Sequence, residues 1–451
     1  MARKSTPERD ALIAEVIKQM YRELNDQLPE QPGTLDQIED TAGKIGRKLS
    51  QEVQKRLVQQ HNKAPRPPKI DCTCGVCARY KGRQKRTLVT AHGLLTFARA
   101  CYYCRNCHLT RVPVDTALGL DGSTTTTQVR LWVALLAGKL PFAEAASTLE
   151  MLTRVSLSAP SVERLSIAIG TALRAQQNQT AHQHQNNRLP EPEGVHPKRL
   201  YIGMDGVFVP LRDPWKKDKS AGKLACRWGE CKSGVVYETY QDASGKDTGV
   251  RANHYLSTME KVETFGPLMG ALAHSLGHHT AKEVVVIGDG APWIWQIAAK
   301  QFTGALQIVD FFHAMEHLAK VAEARFGKST PETKSWLSER ADELKTNQLR
   351  KVLDDLRAWR PSSIAKKQLR KSTYAYFYTN AERMRYQTFL EKGYHIGSGV
   401  VEATCKRVVA QRLDQAGMHW RQESAEAIVA LRSAQLSTFP TDLRPYCAMP
   451  A

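Results

Sequence analysis

RLYIGMDGVFVPL, residues 199–211, decides how this chain is read. It is a run of branched and aromatic residues long enough for a strand, yet Asp205 stands in its middle. A second run, EVVVIGDG (283–290), ends on another aspartate, Asp289. An ionised carboxylate among apolar strand residues is costly unless it is paired, hydrogen-bonded or coordinated to a cation. Gly206, Gly288 and Gly290 beside the two acids permit tight backbone geometry and close ligand approach. Two further apolar runs, GVVYETY (234–240) and ALQIVDF (305–311), alternate with helical patterns such as HYLSTMEKVETFGPLMGALAHSL (254–276). That alternation predicts an α/β domain from about residue 199.

A third acid, Glu402, lies in GSGVVEATCKRVVAQR (397–412), where a Gly-Ser-Gly turn opens a helix that carries Lys406 and Arg407 on its next turn and Arg412 further on. These three cations are read as DNA contacts. Magnesium and manganese prefer carboxylate oxygens. Three carboxylates can hold two such ions about 4 Å apart, the arrangement that serves in-line displacement at phosphorus. Taken singly, Asp205 or Asp289 also reads as a turn residue at a strand end, and Glu402 as a complement to a helix dipole. Their common α/β setting makes them a set.

Outward from this core, residues 311–392 show no strand pattern and are rich in Lys and Arg, which predicts a helical insertion at about 314–394. Upstream, the polar stretch AQQNQTAHQHQNNRLPEPEGVHP (175–197) has no periodic apolar face, and residues 181–198 are read as a linker. Before it, TQVRLWVALLAG, PFAEAASTLEMLT, a break at RVSLS and APSVERLSIAIGTAL give three helices within residues 116–180. Their spacing fits a helix-turn-helix-like domain, with Arg164 as a DNA contact, and fits an ordinary helical bundle equally well.

Six of the ten cysteines fall between Cys72 and Cys107. Cys74-x2-Cys77 and Cys104-x2-Cys107, 26 residues apart, have the paired-knuckle spacing of a zinc ribbon. A structural Zn²⁺ on those four is expected across residues 66–115, with Cys72, Cys101 and His108 as alternative ligands. Arg79, Lys81, Arg83, Lys85 and Arg86 nearby suit phosphate contacts or a solvated face. Residues 1–65 read as two helices broken at PEQPGT (29–34) and ending in a basic, proline-rich linker, and residues 441–451 as a tail.

The 64 Lys and Arg against 45 Asp and Glu leave a net charge of +19, which favours a polyanionic partner. There is no apolar run of about 18 residues to span a bilayer, no lipidation signal, and a charged N-terminus unlike a secretory signal. A cytoplasmic, nucleoid-associated protein is expected, without a membrane partner.

YIGMDGVFVPLR, VVVIGDGAPWIW, QIVDFFHAMEHL and IGSGVVEATCKRVVAQRLDQAGMHW together resemble bacterial insertion-sequence transposases of the ISKra group, DDE enzymes related to the Mutator-like class. The likeness covers most of residues 199–436. It implies a multidomain α and α/β chain: N-terminal helices, a zinc-ribbon-like module, a helix-turn-helix-like domain, and an RNase H-like α/β catalytic domain at 199–440 with an all-helical insertion. It implies that Asp205, Asp289 and Glu402 hold two Mg²⁺ or Mn²⁺ ions and that Asp310 and His313, matching an Asp-x-x-His element, support the active site or the DNA ends. The implied partners are double-stranded transposon ends and target DNA, bound by a homodimer or larger assembly. Trp293, Trp295, Trp420 and the RWGE stretch at 227–230 also fall in matching segments, with buried packing as their default reading and Glu230 as an auxiliary acid. A non-catalytic zinc-containing DNA-binding regulator and an RNase H-like nuclease without strand transfer are the alternatives. The pair His313 and His317 lacks the directly following glutamate of a zinc protease helix, which excludes that chemistry.

Overall fold

Side chains along a strand alternate between two faces, and residues 199–211 sit where helices cover both. The computed structural model describes residues 7–28, 33–61, 66–120, 122–217 and 224–448. Most of the PEQPGT break, residues 62–65 of the basic linker and the end of the tail lie outside the described residues. The chain divides into two compact units, Met1–Ile169 with Leu443–Ala451, and Gly170–Asp442. It is a mixed helical and sheet, multidomain architecture.

In the first unit, α1 (Pro7–Gln27) and α2 (Leu35–His61) are joined by the ion pairs Lys48–Glu23 (2.8 Å) and Arg56–Glu15 (3.1 Å). Strands β1 (Lys69–Asp71), β2 (Cys77–Thr90), β3 (Gly93–Tyr103) and β4 (Thr110–Arg111) form an antiparallel sheet in chain order. Leu88, Leu95 and Phe97 make a small core with Val58 of α2 and with Val114, Leu118 and Leu120. Arg86 reaches from β2 to Asp115 of α3 (Pro113–Ala117) at 2.5 Å. Helices α4 (Thr127–Ala137), α5 (Phe142–Thr153) and the start of α6 (Ala159–Gln185) enclose Val133, Ala137, Ala145, Leu149, Val162 and Leu165. The break before α6 is made by Arg154, held at φ 59°.

Helix α6 runs on to Gln185, into the first five residues of the segment read as linker. Ala and Gln are good helix formers, and Gly170 sets the helix against a neighbour: a Cβ there would meet the backbone of Ala427 at 2.2 Å.

The second unit is built on β5 (Arg199–Lys217), β6 (Leu224–Gln241), β7 (Asp247–Thr258), β8 (Glu283–Gly288) and β9 (Leu306–Val309), in the order β7-β6-β5-β8-β9. β5, β6 and β7 are antiparallel, whereas β8 and β9 run parallel to β5. β7 corrects the reading of residues 254–258 as helix. Lys232 to Gln241 of β6 pair along it, and helix α7 (Val262–Ser275) starts only after the sheet edge is complete. Cross-strand pairing overrides the local helical pattern here.

One face of the sheet meets α7, where Gly234 leaves room for Met269 and Phe265, and α8 (Pro292–Gln301), where Gly288 leaves room for Ile294. From Phe311 to Glu391 the described elements are helical: α9 (Phe311–Phe326), α10 (Pro331–Lys345), α11 (Leu349–Ala358), α12 (Ile364–Thr379), a 3₁₀ turn and α13 (Tyr386–Glu391). The opposite face carries α14 (Gly399–Thr404), a π turn over Cys405–Ala410, α15 (Gln411–Leu413) and α16 (Gln422–Leu436). Val401 of α14 lies so close over Gly203 that a Cβ there would stand 2.2 Å from it. On α16, Ser433 accepts from the backbone of Ser257 (3.1 Å) and Glu426 from the Thr258 hydroxyl (2.8 Å), which locks that helix to β7. The chain ends with α17 (Arg444–Ala448), packed on α4 in the first unit. No helix among the described residues is long and apolar enough to cross a membrane.

Candidate functional site

Asp205 stands on β5, and Asp289 directly follows β8, its parallel neighbour. Gly203 pairs with Ile287 and Met204 with Gly288, so Asp205 follows one side of the ladder as Asp289 follows the other. Asp205 shares a face with Gly203, two residues earlier, and that is the face α14 covers. Its Oδ1 accepts from the N–H of Gly206 (2.7 Å), and the Cys405 thiol donates to its Oδ2 (3.7 Å). Burial raises the Asp205 carboxyl above its ordinary value. The Gly206 N–H pulls it back, the charge of Asp289 pushes it further up, and His313 pulls it down. Asp289 accepts from the N–H of Ala291 (2.8 Å) at the entry to α8. Two neighbouring carboxylates offer the oxygen donors that a hard divalent cation takes.

The start of the Glu402 helix is tied to this region through Asp310. That aspartate is 2% exposed. Its Oδ1 caps α9, accepting from Phe312 (2.5 Å) and His313 (3.0 Å), while its Oδ2 accepts from the N–H of Ser398. The backbone adds Phe311 N–H to Ile396 O (2.8 Å) and Asp310 N–H to Gly288 O (2.8 Å). The start of α14 is thereby tied to the ends of β8 and β9. Val401 and Cys405, four residues apart, face the sheet; Glu402, one residue on, is exposed and acts with Asp205 on the same Cys405 thiol, which burial raises far above its usual value. Among the described residues, two groups of His, Cys, Asp and Glu have ligand atoms all within 4.8 Å of one another, and the three carboxylates are not one of them.

Several contributors escaped the sequence. Cys405 opens the π turn, whose carbonyls at Val408 (2.6 Å) and Arg407 accept from the buried Arg432 guanidinium of α16. π turns interrupt helices at functional sites often enough to be noted when found. Tyr376 of α12 donates to the backbone oxygen of Asp289 (2.7 Å) and stacks on His317 (4.0 Å between rings). It fills the space above Gly290, whose φ of 100° and 2.5 Å clearance to the ring exclude a side chain. Glu230 of β6 pairs with Lys232 (2.8 Å), and its carboxylate lies over Gly206.

Lys406 and Arg407 are exposed beside the acids, and Arg164 is exposed on α6 in the first unit. Arg412, read as a DNA contact, is 0% exposed and lies over the Trp420 ring at 4.9 Å, so its charge holds the fold and does not face a partner. Trp295 and Trp420 are buried packing residues, the former under Arg383 at 4.7 Å. A groove of about 570 Å³ between α11 and α12 is lined by Arg357, Arg360, Lys367, Arg370 and Lys371.

In the first unit the sulfurs of Cys72, Cys74, Cys104 and Cys107 all lie within 4.8 Å of one another, with Cys72 to Cys107 and Cys74 to Cys104 at 3.5 Å. A tetrahedral zinc with Zn–S of about 2.3 Å has sulfurs about 3.8 Å apart. This four-cysteine cluster could bind zinc. It takes Cys72, one of the alternative ligands, in place of Cys77: Cys77 opens β2 opposite Asp71 and is exposed, whereas Cys72 sits in the turn closed by Gly75 N–H to Cys72 O (3.0 Å). Strand parity turns Cys77 away, since its neighbour Ala78 is the one that faces inward. The Cys74 N–H and then Arg111 bring the Cys72 thiol down to about 6. At Cys107 the Leu109 N–H works against burial and the neighbouring sulfurs, which raise it to about 11. A bound cation resolves that mutual opposition. Cys101 is buried in β3 against Arg99 O (3.8 Å), and His108 contacts the Tyr103 hydroxyl (3.0 Å).

A family model described as an uncharacterised protein family, UPF0236, matches residues 37–442. A curated relative, "UPF0236 protein in vanSb 3'region" of Streptococcus gallolyticus, is 23% identical over 329 residues, covering 72% of this chain and 67% of that one. Among solved structures, a chain of the Drosophila P element transposase strand transfer complex is similar at 10% identity and a TM-score of 0.24, covering 71% of this chain and 81% of that chain. All of the second unit and most of the first fall inside the family match, and the chain belongs to the UPF0236 family.

Proposed function

We propose that this protein is a DDE-type DNA transposase of the ISKra group, which hydrolyses phosphodiester bonds at insertion-sequence ends and joins the released 3′-hydroxyls to target DNA. The observation that carries the reading is the placement of Asp205 on β5 and of Asp289 directly after β8, its parallel neighbour, with the Glu402 helix tied over the same sheet face. The sheet order β7-β6-β5-β8-β9, antiparallel then parallel, supports an RNase H-like catalytic domain.

Asp205, Asp289 and Glu402 hold Mg²⁺ or Mn²⁺, two ions in this reading. Bound there, the ions supply the positive charge that activates the attacking oxygen and stabilises the leaving oxygen at phosphorus. Asp310 acts as a positioning residue, since it touches the start of the Glu402 helix and both helix-capping amides. His313 offsets the negative charge at Asp205. Tyr376 fixes the backbone at Asp289, and Lys406, Arg407 and the α11–α12 groove offer cations to the phosphate backbone. The zinc module and the α4–α6 helices with Arg164 supply end recognition, with dimers or larger assemblies pairing the ends.

The test is incubation of the purified chain and Mg²⁺ with labelled DNA spanning the flanks of its gene. Nicks at an inverted repeat followed by joined products are expected. Binding without cutting would make it a regulator, and cutting without joining a nuclease.

A further inference from the structure

Outside the acids and the cysteines, one cluster of ligand groups has no part in the chemistry above. His184 near the end of α6, His274 at the end of α7, and His279 in the turn before β8 have ring nitrogens all within 4.8 Å of one another. The three come from separate segments, so their meeting is a product of the fold and not of a sequence run. We infer that His184, His274 and His279 form a second transition-metal site, taking Zn²⁺ or a similar divalent ion through imidazole nitrogens, distinct from the cysteine cluster and from the carboxylates.

The hydrogen bonds set the tautomer that ligation needs. His274 Nε2 lies 3.0 Å from the carbonyl oxygen of Pro190, and a carbonyl can only accept, so Nε2 carries the proton. Nδ1 therefore accepts from His279 Nε2–H, 2.8 Å away, and a cation that replaces this one shared proton would take the lone pairs of both nitrogens. An imidazole that donates its other N–H to a backbone carbonyl is the usual support of a metal-bound histidine. Gly270 makes the approach possible: a Cβ there would stand 2.9 Å from His184 Nε2 and 2.4 Å from Gln301 Oε1. The neighbouring His278 is buried, its ring centre 3.6 Å from that of His279, and its Nδ1 has no protein partner. A buried polar atom left so is a second sign of a missing ligand at this place. Exposed His279 gives an ion its way in.

The site lies at the opposite end of β8 from Asp289. At about 3.3 Å per residue the strand holds the two roughly 20 Å apart, too far for this ion to act in phosphoryl transfer. It is a clip. It fastens the end of α6 and the segment through Pro190 and Glu191 to α7, and the inference holds whether or not the chain is a transposase.

The experiment uses the untagged full chain, equilibrated with excess Zn²⁺, desalted, and analysed for zinc per chain. The wild type is expected to hold one equivalent more than His274→Gln/His279→Gln, and His182→Gln, an exposed histidine of α6 outside the cluster, as much as the wild type. Circular dichroism checks that the double variant is folded. Should it unfold, the exposed His279→Gln alone is titrated with Zn²⁺, and its second site should weaken by at least about tenfold. Zinc should also slow tryptic cleavage after Arg188 in the wild type and not in the variant. Equal zinc content in wild type and a folded double variant, or an unchanged titration in His279→Gln, would overturn the inference.

Discussion

Replacing Asp310 by Asn separates two jobs that one carboxylate performs. Oδ1 caps α9 through Phe312 and His313, and Oδ2 takes the N–H of Ser398, a residue 5% exposed. Asparagine is as good an N-cap as aspartate, so its carbonyl keeps the α9 bonds, but its amide then faces the Ser398 N–H donor to donor. The lost interaction is a charge-assisted bond, about 1.5–3 kcal/mol, at a buried amide with no alternative acceptor. Each 1.4 kcal/mol is tenfold, so the amides from Ser398 into α14 should exchange hydrogen roughly 10- to 150-fold faster, while those of α9 keep their protection. Peptide-resolved hydrogen exchange reads both segments in one experiment. DNA cleavage should fall with it, because Glu402 rides on the loosened helix. Unchanged exchange over residues 398–404 with full cleavage would refute the claim that Asp310 positions the glutamate.

Three further outcomes are expected. Cys72→Ser should lose the zinc of the first unit and its cooperative unfolding, whereas Cys77→Ser should keep both, as read by metal analysis and thermal melts; the reverse pattern would restore the paired-knuckle tetrad. Asp247→Ala leaves the buried Arg199 without its 2.9 Å partner and should cost about 3 kcal/mol in urea unfolding at neutral pH. Burial raises Asp247, but Tyr201, Thr239 and Arg199 more than reverse it, so its folded value is lowered. Its contribution is therefore complete above the unfolded value of about 3.9 and is lost as the pH falls through the lower folded value, and the variant should lack that acid limb. Gly290→Ala forces φ near 100° and pushes on Tyr376, which should cost about 1–3 kcal/mol and reduce cleavage; a stable, active variant would remove Tyr376 from the account.

Much of the second unit was legible because its strands are long and apolar and its acids stand out against them. β5 and β8 follow from residues 199–211 and 283–288, where branched residues cluster and a lone aspartate has no local reason to be. β7 was not legible: its sequence suits a helix, and only pairing with β6 makes it a strand. The same holds at α6, where a polar surface pattern hid a helix whose neighbours decide its length. Spacing found the cysteine cluster but not its membership, which turns on whether a residue falls inside or outside the pleat of β2. Arg412 is indistinguishable from Lys406 and Arg407 by composition, and its position relative to Trp420 separates them. Cys405 lies within a matching segment but nothing there singles it out, Arg432 and Tyr376 fall in no quoted motif, and each matters through contacts across the chain.

The central claim is that Asp205, Asp289 and Glu402 act together on a DNA phosphate. The most direct measurement is a paired assay of Asp205→Asn, Asp289→Asn and Glu402→Gln, scoring binding of labelled element-end DNA by gel shift and Mg²⁺-dependent cleavage on the same samples. All three variants should bind as the wild type does and lose cleavage and joining by several orders of magnitude, as expected when charge stabilisation at the reacting phosphate is removed. Cleavage retained in all three, with binding intact, would contradict the account.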